Sequence, residues 1–151
     1  MAEVHVVRRD MYLLIGSVTI KQKTPTEAPQ TLWEALSQAP ESSIWSVQQL
    51  QHSDQGRNFV DAMRKGDAIA VSDGSYGKNR ATSAFILSSR SQPHMMVTAV
   101  NEVAGMVNSL NSYRVELSGI YGTLILIRAI CQLYKVHQGH VTLALDGDSA
   151  L

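Results

Sequence analysis

Residues 70–79 read AVSDGSYGKN. A run of small apolar residues meets an acid, Asp73, and a glycine and a serine follow at once. A carboxylate buried without a partner costs several kcal/mol. Asp73 therefore either stands in solvent at a turn, as Asp-Gly pairs commonly do, or faces something cationic. Three residues upstream the pattern is already that of a strand. DAIAVSDGSY sets Ile69, Val71 and Asp73 on one face at period two, with Ala68 and Ala70 on the other. Apolar residues on both sides predict a strand buried on both faces.

Moving toward the C-terminus, Gly77-Lys78-Asn79 reads as a turn, RATSAFILSSR as a second strand and HMMVTAVNEV as a third. Short turns between them predict an antiparallel meander. Asn111 or Ser112 then caps a helix over SYRVELSGIYGTLILIRAICQLYKV. Its apolar positions Leu117, Ile120, Tyr121, Leu124, Ile127, Cys131 and Tyr134 recur near 3.6 residues. This predicts a long, mostly buried helix, with Gly119 and Gly122 allowing close packing on the sheet. HVTLALDGDSAL is a fourth strand that runs into Asp146. A strand, a helix and a further parallel strand make a crossover, which is right-handed in nearly all folds.

Moving toward the N-terminus, VHVVRRDMYLLIGSVTI reads as a hairpin with its turn near Arg9-Asp10, and KQKTPTEAPQ as a loop. TLWEALSQ is helical, with Thr31 as N-cap. IWSVQQL is an apolar fragment, and DQGRNFVDAMRKG is a helix stopped by Gly66. Trp33 and Trp45 read as packing residues. On this division residues 1–66 form an N-terminal α+β extension and 67–151 the main domain.

The chain has 151 residues, 44% hydrophobic and 17% charged, with 13 basic and 13 acidic side chains. That is one ordinary globular domain. Zero net charge argues against a cationic, non-specific nucleic-acid binder. It leaves room for an enzyme that meets phosphates through a bound metal. One cysteine, Cys131, forms no internal disulfide, which predicts a reducing, intracellular location, cytoplasm or nucleus. The apolar stretch GTLILIRAIC is short and interrupted by Arg128, which predicts no membrane span. The pair His137 and His140 straddles Gly139 and reads as surface, His52 and His94 have no readable partner, and Cys131 reads as a core residue.

Two strands thus run into acids, Asp73 and Asp146, and the long helix carries Glu116 in its first turn. Sites in parallel α/β units lie at the carboxyl ends of strands. Three carboxylates from separate elements converging there would offer hard oxygen ligands suited to Mg²⁺ or Mn²⁺. Each acid also has a plain structural explanation. Asp73 and Asp146 can be turn residues, and Glu116 can simply favour the positive end of its helix.

VSDGSY, SYRVELSGIYG and VTLALDGDSAL resemble, in order and spacing, the first three catalytic segments of the ribonuclease H family, in the variety linked to retroelement reverse transcriptases. The resemblance covers roughly Asp67 to Leu151. It implies an RNase H-like α/β fold: a mixed sheet built from a three-stranded antiparallel meander, a long helix and a parallel fourth strand, with the first strand central. It also implies two-metal cleavage of the RNA strand of an RNA–DNA hybrid. Asp73, Glu116 and Asp146 would then be catalytic and would hold two Mg²⁺ or Mn²⁺ ions. One ion orients and activates the attacking water, and the other stabilises the leaving 3′ oxygen. Gly74 and Ser75 would lie against the RNA strand and its 2′-hydroxyls. Ser112 and Arg114 would also contact nucleic acid. Ser112 and Tyr113 depart from the amide side chains that the family often has there. Asp148 reads as a solvated turn acid or as a substitute ligand.

The family pattern continues past the fourth strand with more helix, a fifth strand and a final helix bearing the last acid. This chain stops at Leu151, five residues after Asp146. The resemblance therefore implies a C-terminally truncated domain of weak or no activity, whose uncovered fourth strand invites pairing with another chain. The other expectation is a non-catalytic RNase H-like module that binds nucleic acid or a protein. An aspartic protease is excluded by residue order, since Asp73 is followed by Gly-Ser rather than by Ser/Thr-Gly.

Overall fold

The computed structural model describes residues 28–77, 80–103 and 110–145, and the backbone of 6–8 and 11–13. Val6–Arg8 (β1) and Met11–Leu13 (β2) pair antiparallel with Arg8 opposite Met11, as expected of a hairpin turning at Arg9-Asp10. The elements that follow are α1 (Leu32–Ser37), α2 (Glu41–Ile44), β3 (Gln48–His52), α3 (Arg57–Lys65), β4 (Ala68–Gly77), β5 (Arg80–Ser89), β6 (Val97–Glu102), α4 (Ser112–Tyr134) and β7 (Val141–Leu145). Five strands form one mixed sheet in the order β3-β6-β5-β4-β7. Only β7 runs parallel to its neighbour, β4. The protein is thus α/β, and the expected meander, long helix and parallel strand are all present.

Local signals set the helix ends. Thr31 accepts the Glu34 amide at the start of α1, and Asn111 accepts the Arg114 amide at the start of α4. Gly66, with φ of 72°, closes α3 in the left-handed conformation that glycine adopts without cost.

The helices cover one face of the sheet. Ala68, Ala70, Ser72 and Gly74 of β4 turn toward α4, as do Ala81, Ser83, Phe85 and Leu87 of β5 and Val97, Ala99 and Asn101 of β6. The opposite face is open: Val71 is 37% exposed and Ile86, beside it, 40%. The expectation of burial on both faces is therefore corrected. Alternation of alanine with larger residues marks the side where a helix sits close, and no described helix covers the other.

The face that α4 buries also differs from expectation. Leu117, Tyr121 and Leu124 are 40%, 40% and 54% exposed, while Val115, Ser118, Gly119, Gly122, Thr123, Leu126, Ala129 and Ile130 are buried. The reason is distance. A Cβ on Gly119 would lie 3.0 Å from Ser72 Oγ and 3.3 Å from Ser83 Cβ, and one on Gly122 would overlap the Ser46 carbonyl and the Phe85 ring. Small residues at 118, 119, 122 and 123 let the helix lie close to the sheet, and Leu117, Tyr121 and Leu124 fall on its outer side. By length and hydropathy α4 could also cross a membrane, so the expectation that this segment is too short does not hold. Its small-residue face is packed on β4, β5 and β6.

Residues upstream of 67, read from sequence as an extension, take part in the same core. Leu32, Ala35 and Leu36 of α1, Val47, and Phe59, Val60 and Met63 of α3 are buried with Ala70, Phe85, Leu87, Leu126 and Ile130. The strand β3 is the outer neighbour of β6 in the one sheet. Asn101, 2% exposed, ties these parts together. Its amide nitrogen donates to the carbonyls of Ser46, 2.9 Å, and Ser118, 3.4 Å, and its oxygen accepts from the hydroxyls of Ser83 and Ser118. That uses the donor and acceptor capacity of a buried amide.

Candidate functional site

Asp73 is not the last residue of its strand. β4 continues to Gly77, and Asp73 pairs with Ala84 of β5. Beside it lies the last described pair of the parallel ladder. The described part of β7 closes with Leu145 opposite Ser72, one residue short of Asp73. Asp73 is therefore the first residue of β4 beyond the described β4–β7 ladder, exposed on the open face. This also answers why an acid interrupts an apolar strand: its side chain leaves the core side and meets solvent, so no burial penalty arises.

The next residue fixes the helix. A Cβ on Gly74 would stand 2.7 Å from Val115 Cγ1, 3.2 Å from the Val115 carbonyl carbon and 3.3 Å from the Glu116 amide nitrogen. Glycine alone permits this approach, so the first turn of α4 is seated against the residue after Asp73. Glu116 is half-buried in that turn. The backbones carrying Asp73 and Glu116 thus adjoin, on the two faces of β4, next to the last described pair of the parallel ladder. Ser75 lies on the open face two residues beyond Asp73. Ser112 is the first residue of α4 and Arg114 the third, both exposed.

Of the residues expected at a site, Gly74 lies against the first turn of α4 at Val115 and Glu116, whereas Asp73 and Ser75 stand on the open face of β4 and Ser112, Arg114 and Glu116 belong to the helix on its other face. Asp146 and Asp148 lie outside the described residues; Asp146 follows Leu145 directly in the chain. Among the described residues no group of three His, Cys, Asp or Glu is close enough to hold a metal ion. Asp73 and Glu116 by themselves offer two hard oxygen donors, the chemistry that suits Mg²⁺ or Mn²⁺.

Reading the sequence alone missed a groove on the outer side of this turn. Trp45, Val103, Arg114, Leu117, Ser118 and Tyr121 line a space of about 430 Å³. Trp45 stacks on Tyr121 with centroids 6.0 Å apart, and the Tyr121 hydroxyl shares a 2.6 Å hydrogen bond with Ser43 Oγ. Leu117 and Tyr121 were expected in the core. The run Ser118-Gly119 with Gly122-Thr123 was the available signal that the opposite side of the helix faces outward.

Elsewhere, Asp67 accepts from the Ser89 hydroxyl, from the Ser91 hydroxyl at 2.6 Å and from the Ser91 amide at 3.2 Å. These bonds, the Ser89 hydroxyl first, hold its carboxyl below the usual aspartate range. Burial pushes the Cys131 thiol up, in keeping with a packed residue and not a reactive thiolate. His137 and His140 are exposed beyond the end of α4. No family model, no curated protein and no solved structure matches the chain.

Proposed function

We propose that this chain carries an RNase H-like domain and acts as a metal-dependent endonuclease on the RNA strand of RNA–DNA hybrids, from a retroelement reverse transcriptase. The observation that supports this most is the seating of the Glu116 turn against Gly74, directly after Asp73. It sets the backbone of Glu116 beside the residue that follows Asp73, next to the last described pair of the parallel strands. The strand order is a second support. From β6 through β5 and β4 to β7 it is third, second, first, fourth, with the first strand flanked on both sides and the fourth parallel to it.

On this reading Asp73 and Glu116 hold Mg²⁺ or Mn²⁺ together with Asp146. Bound divalent cations activate water and neutralise charge on the leaving oxygen of a phosphodiester. The chain's own residues position the strand to be cut. Ser75 and the Gly74 backbone meet the RNA backbone, while Ser112 and Arg114 meet phosphate or groove edges. An intracellular setting, cytoplasm or nucleus, goes with this function and with the unpaired Cys131.

A second reading is a non-catalytic module of the same fold that binds nucleic acid or protein. The placement of Asp73 on the open face of β4 and of the Glu116 turn on the other face favours it. Titration with Mn²⁺ followed by calorimetry separates the two. The nuclease predicts binding that is weakened at least about tenfold by Asp73→Asn, as loss of one charged ligand requires. Equal binding, or none, in both proteins supports the module.

A further inference from the structure

The outer side of α4 has its own chemistry. Tyr113, Leu117, Tyr121 and Leu124 are exposed and recur at helical spacing, so they form one row. Arg114 and Arg128, the two arginines of the helix, are exposed along the same side. The one acid of α4, Glu116, is half-buried in the turn seated against Gly74. The row thus combines rings, aliphatic side chains and positive charge.

Beside the first half of this row lies the groove of about 430 Å³ formed by Trp45, Val103, Arg114, Leu117, Ser118 and Tyr121. That volume is within the roughly 300–1,000 Å³ of sites that hold small organic ligands. Arg114 is the one charged side chain among these residues. The largest part of the wall is aromatic. Trp45 stacks on Tyr121 with planes 20° apart, and the Ser43 hydroxyl holds the far end of the Tyr121 ring. The ring surface is therefore fixed before any ligand arrives. Arg114 stands in the first turn of α4, where the helix dipole adds to its positive charge. Along the helix axis it lies roughly 10 Å from Tyr121. A fixed ring surface with a cation at one end matches a molecule that joins a planar apolar part to an anion.

We propose that this groove binds an unpaired nucleotide of single-stranded nucleic acid, its base against Tyr121, Trp45 and Leu117 and its phosphate at Arg114. Every base has a face that stacks on aromatic rings, and positive charge beside such rings tracks the phosphate backbone. Tyr113, exposed one turn before Leu117, offers a ring to a neighbouring base. An acidic peptide also brings anions, but its carboxylates sit on flexible stems and leave the rings without a stacking partner. The groove contains neither Asp73 nor Glu116, so this contact extends the nuclease reading to a strand outside the metal site and needs no bound metal.

The test is fluorescence of Trp45 in the full chain carrying Trp33→Phe, which leaves Trp45 as the single tryptophan. It is titrated with short oligothymidylate and oligouridylate while divalent cations are chelated. The expected result is saturable quenching by either strand. Arg114→Glu and Leu117→Glu, both at exposed positions, should each weaken it at least about tenfold, as loss of one phosphate contact or one stacked base does. Arg128→Glu makes the same change of charge on the same helix, away from the groove, and should bind like the parent. Asp73→Asn should also bind like the parent, so loss of metal-dependent cleavage and loss of this binding are read separately. Absence of quenching by both strands overturns the proposal. So does quenching that Arg114→Glu and Leu117→Glu leave unchanged, or that Arg128→Glu weakens as much. Quenching by a peptide of alternating leucine and glutamate, with none by the oligonucleotides, also overturns it and gives the groove to a protein.

Discussion

At the scale of single residues, two glycines and one acid carry most of the account. Gly122 is wedged between the Ser46 carbonyl and the Phe85 ring. Neither can move freely, one being backbone and the other a buried ring. Gly122→Ala should therefore cost about 1–3 kcal/mol, as overpacking of a core does, measured as a lowered denaturant midpoint with unchanged slope. Gly74→Ala is more informative, because its added methyl group meets both Val115 Cγ1 and the backbone of residues 115 and 116. It should push the first turn of α4 away from β4. Under the proposed function it would cut activity by a larger factor than Gly122→Ala at equal loss of stability, which paired activity and unfolding measurements would detect. Asp73 is exposed, so Asp73→Asn should leave stability within about 0.5 kcal/mol of wild type. Asp73 as a position of interest was legible in the sequence, since a charge breaks an otherwise apolar strand. Its exposure on the open face was not, because the run of alanines around it looked two-sided.

At the scale of elements, strands were easier to read than faces. Period-two alternation and short turns were enough for β4, β5 and β6. The crossover through α4 to β7 followed from one long apolar segment and one short one. The buried side of α4 was not legible from apolar periodicity. A helix lying close to a sheet buries Ser118, Gly119, Gly122 and Ala129 beside Leu126 and Ile130, and Leu117, Tyr121 and Leu124 go outward. The helix cap offers one check. Asn111→Ala removes the acceptor for the Arg114 amide and should cost about 1 kcal/mol. The turn between β5 and β6 offers another. The hydroxyls of Ser89 and Ser91 lower the Asp67 pKa. A depressed carboxyl contributes stability above its unfolded pKa, near ~4, and that contribution is lost as pH falls through the lower folded value. The stability difference between wild type and Asp67→Asn should therefore be present at neutral pH and shrink below about pH 4. A difference that is independent of pH would mean that these bonds do not favour the charged form.

At the scale of the whole molecule, the described chain folds around one core to which both halves contribute. A sequence division at residue 66 follows the change from short helical fragments to clean strand patterns. It cannot register that Leu32, Leu36, Phe59 and Val60 are buried against Phe85 and Ile130, since such contacts join residues far apart in sequence. A chain beginning at residue 67 would expose the helix side of the sheet where α1 and α3 pack. Calorimetry should show a cooperative unfolding transition for the full chain and none for this shorter one. The most direct measurement of the central claim is cleavage of a labelled RNA–DNA hybrid by the full chain with Mg²⁺ or Mn²⁺, beside Asp73→Asn and Glu116→Gln. The account predicts metal-dependent cuts in the RNA strand alone, reduced at least about a hundredfold in each variant, since loss of a ligand removes several kcal/mol of transition-state stabilisation. Cleavage that persists in Asp73→Asn, or a hybrid left whole by the metal-loaded wild type, would contradict it.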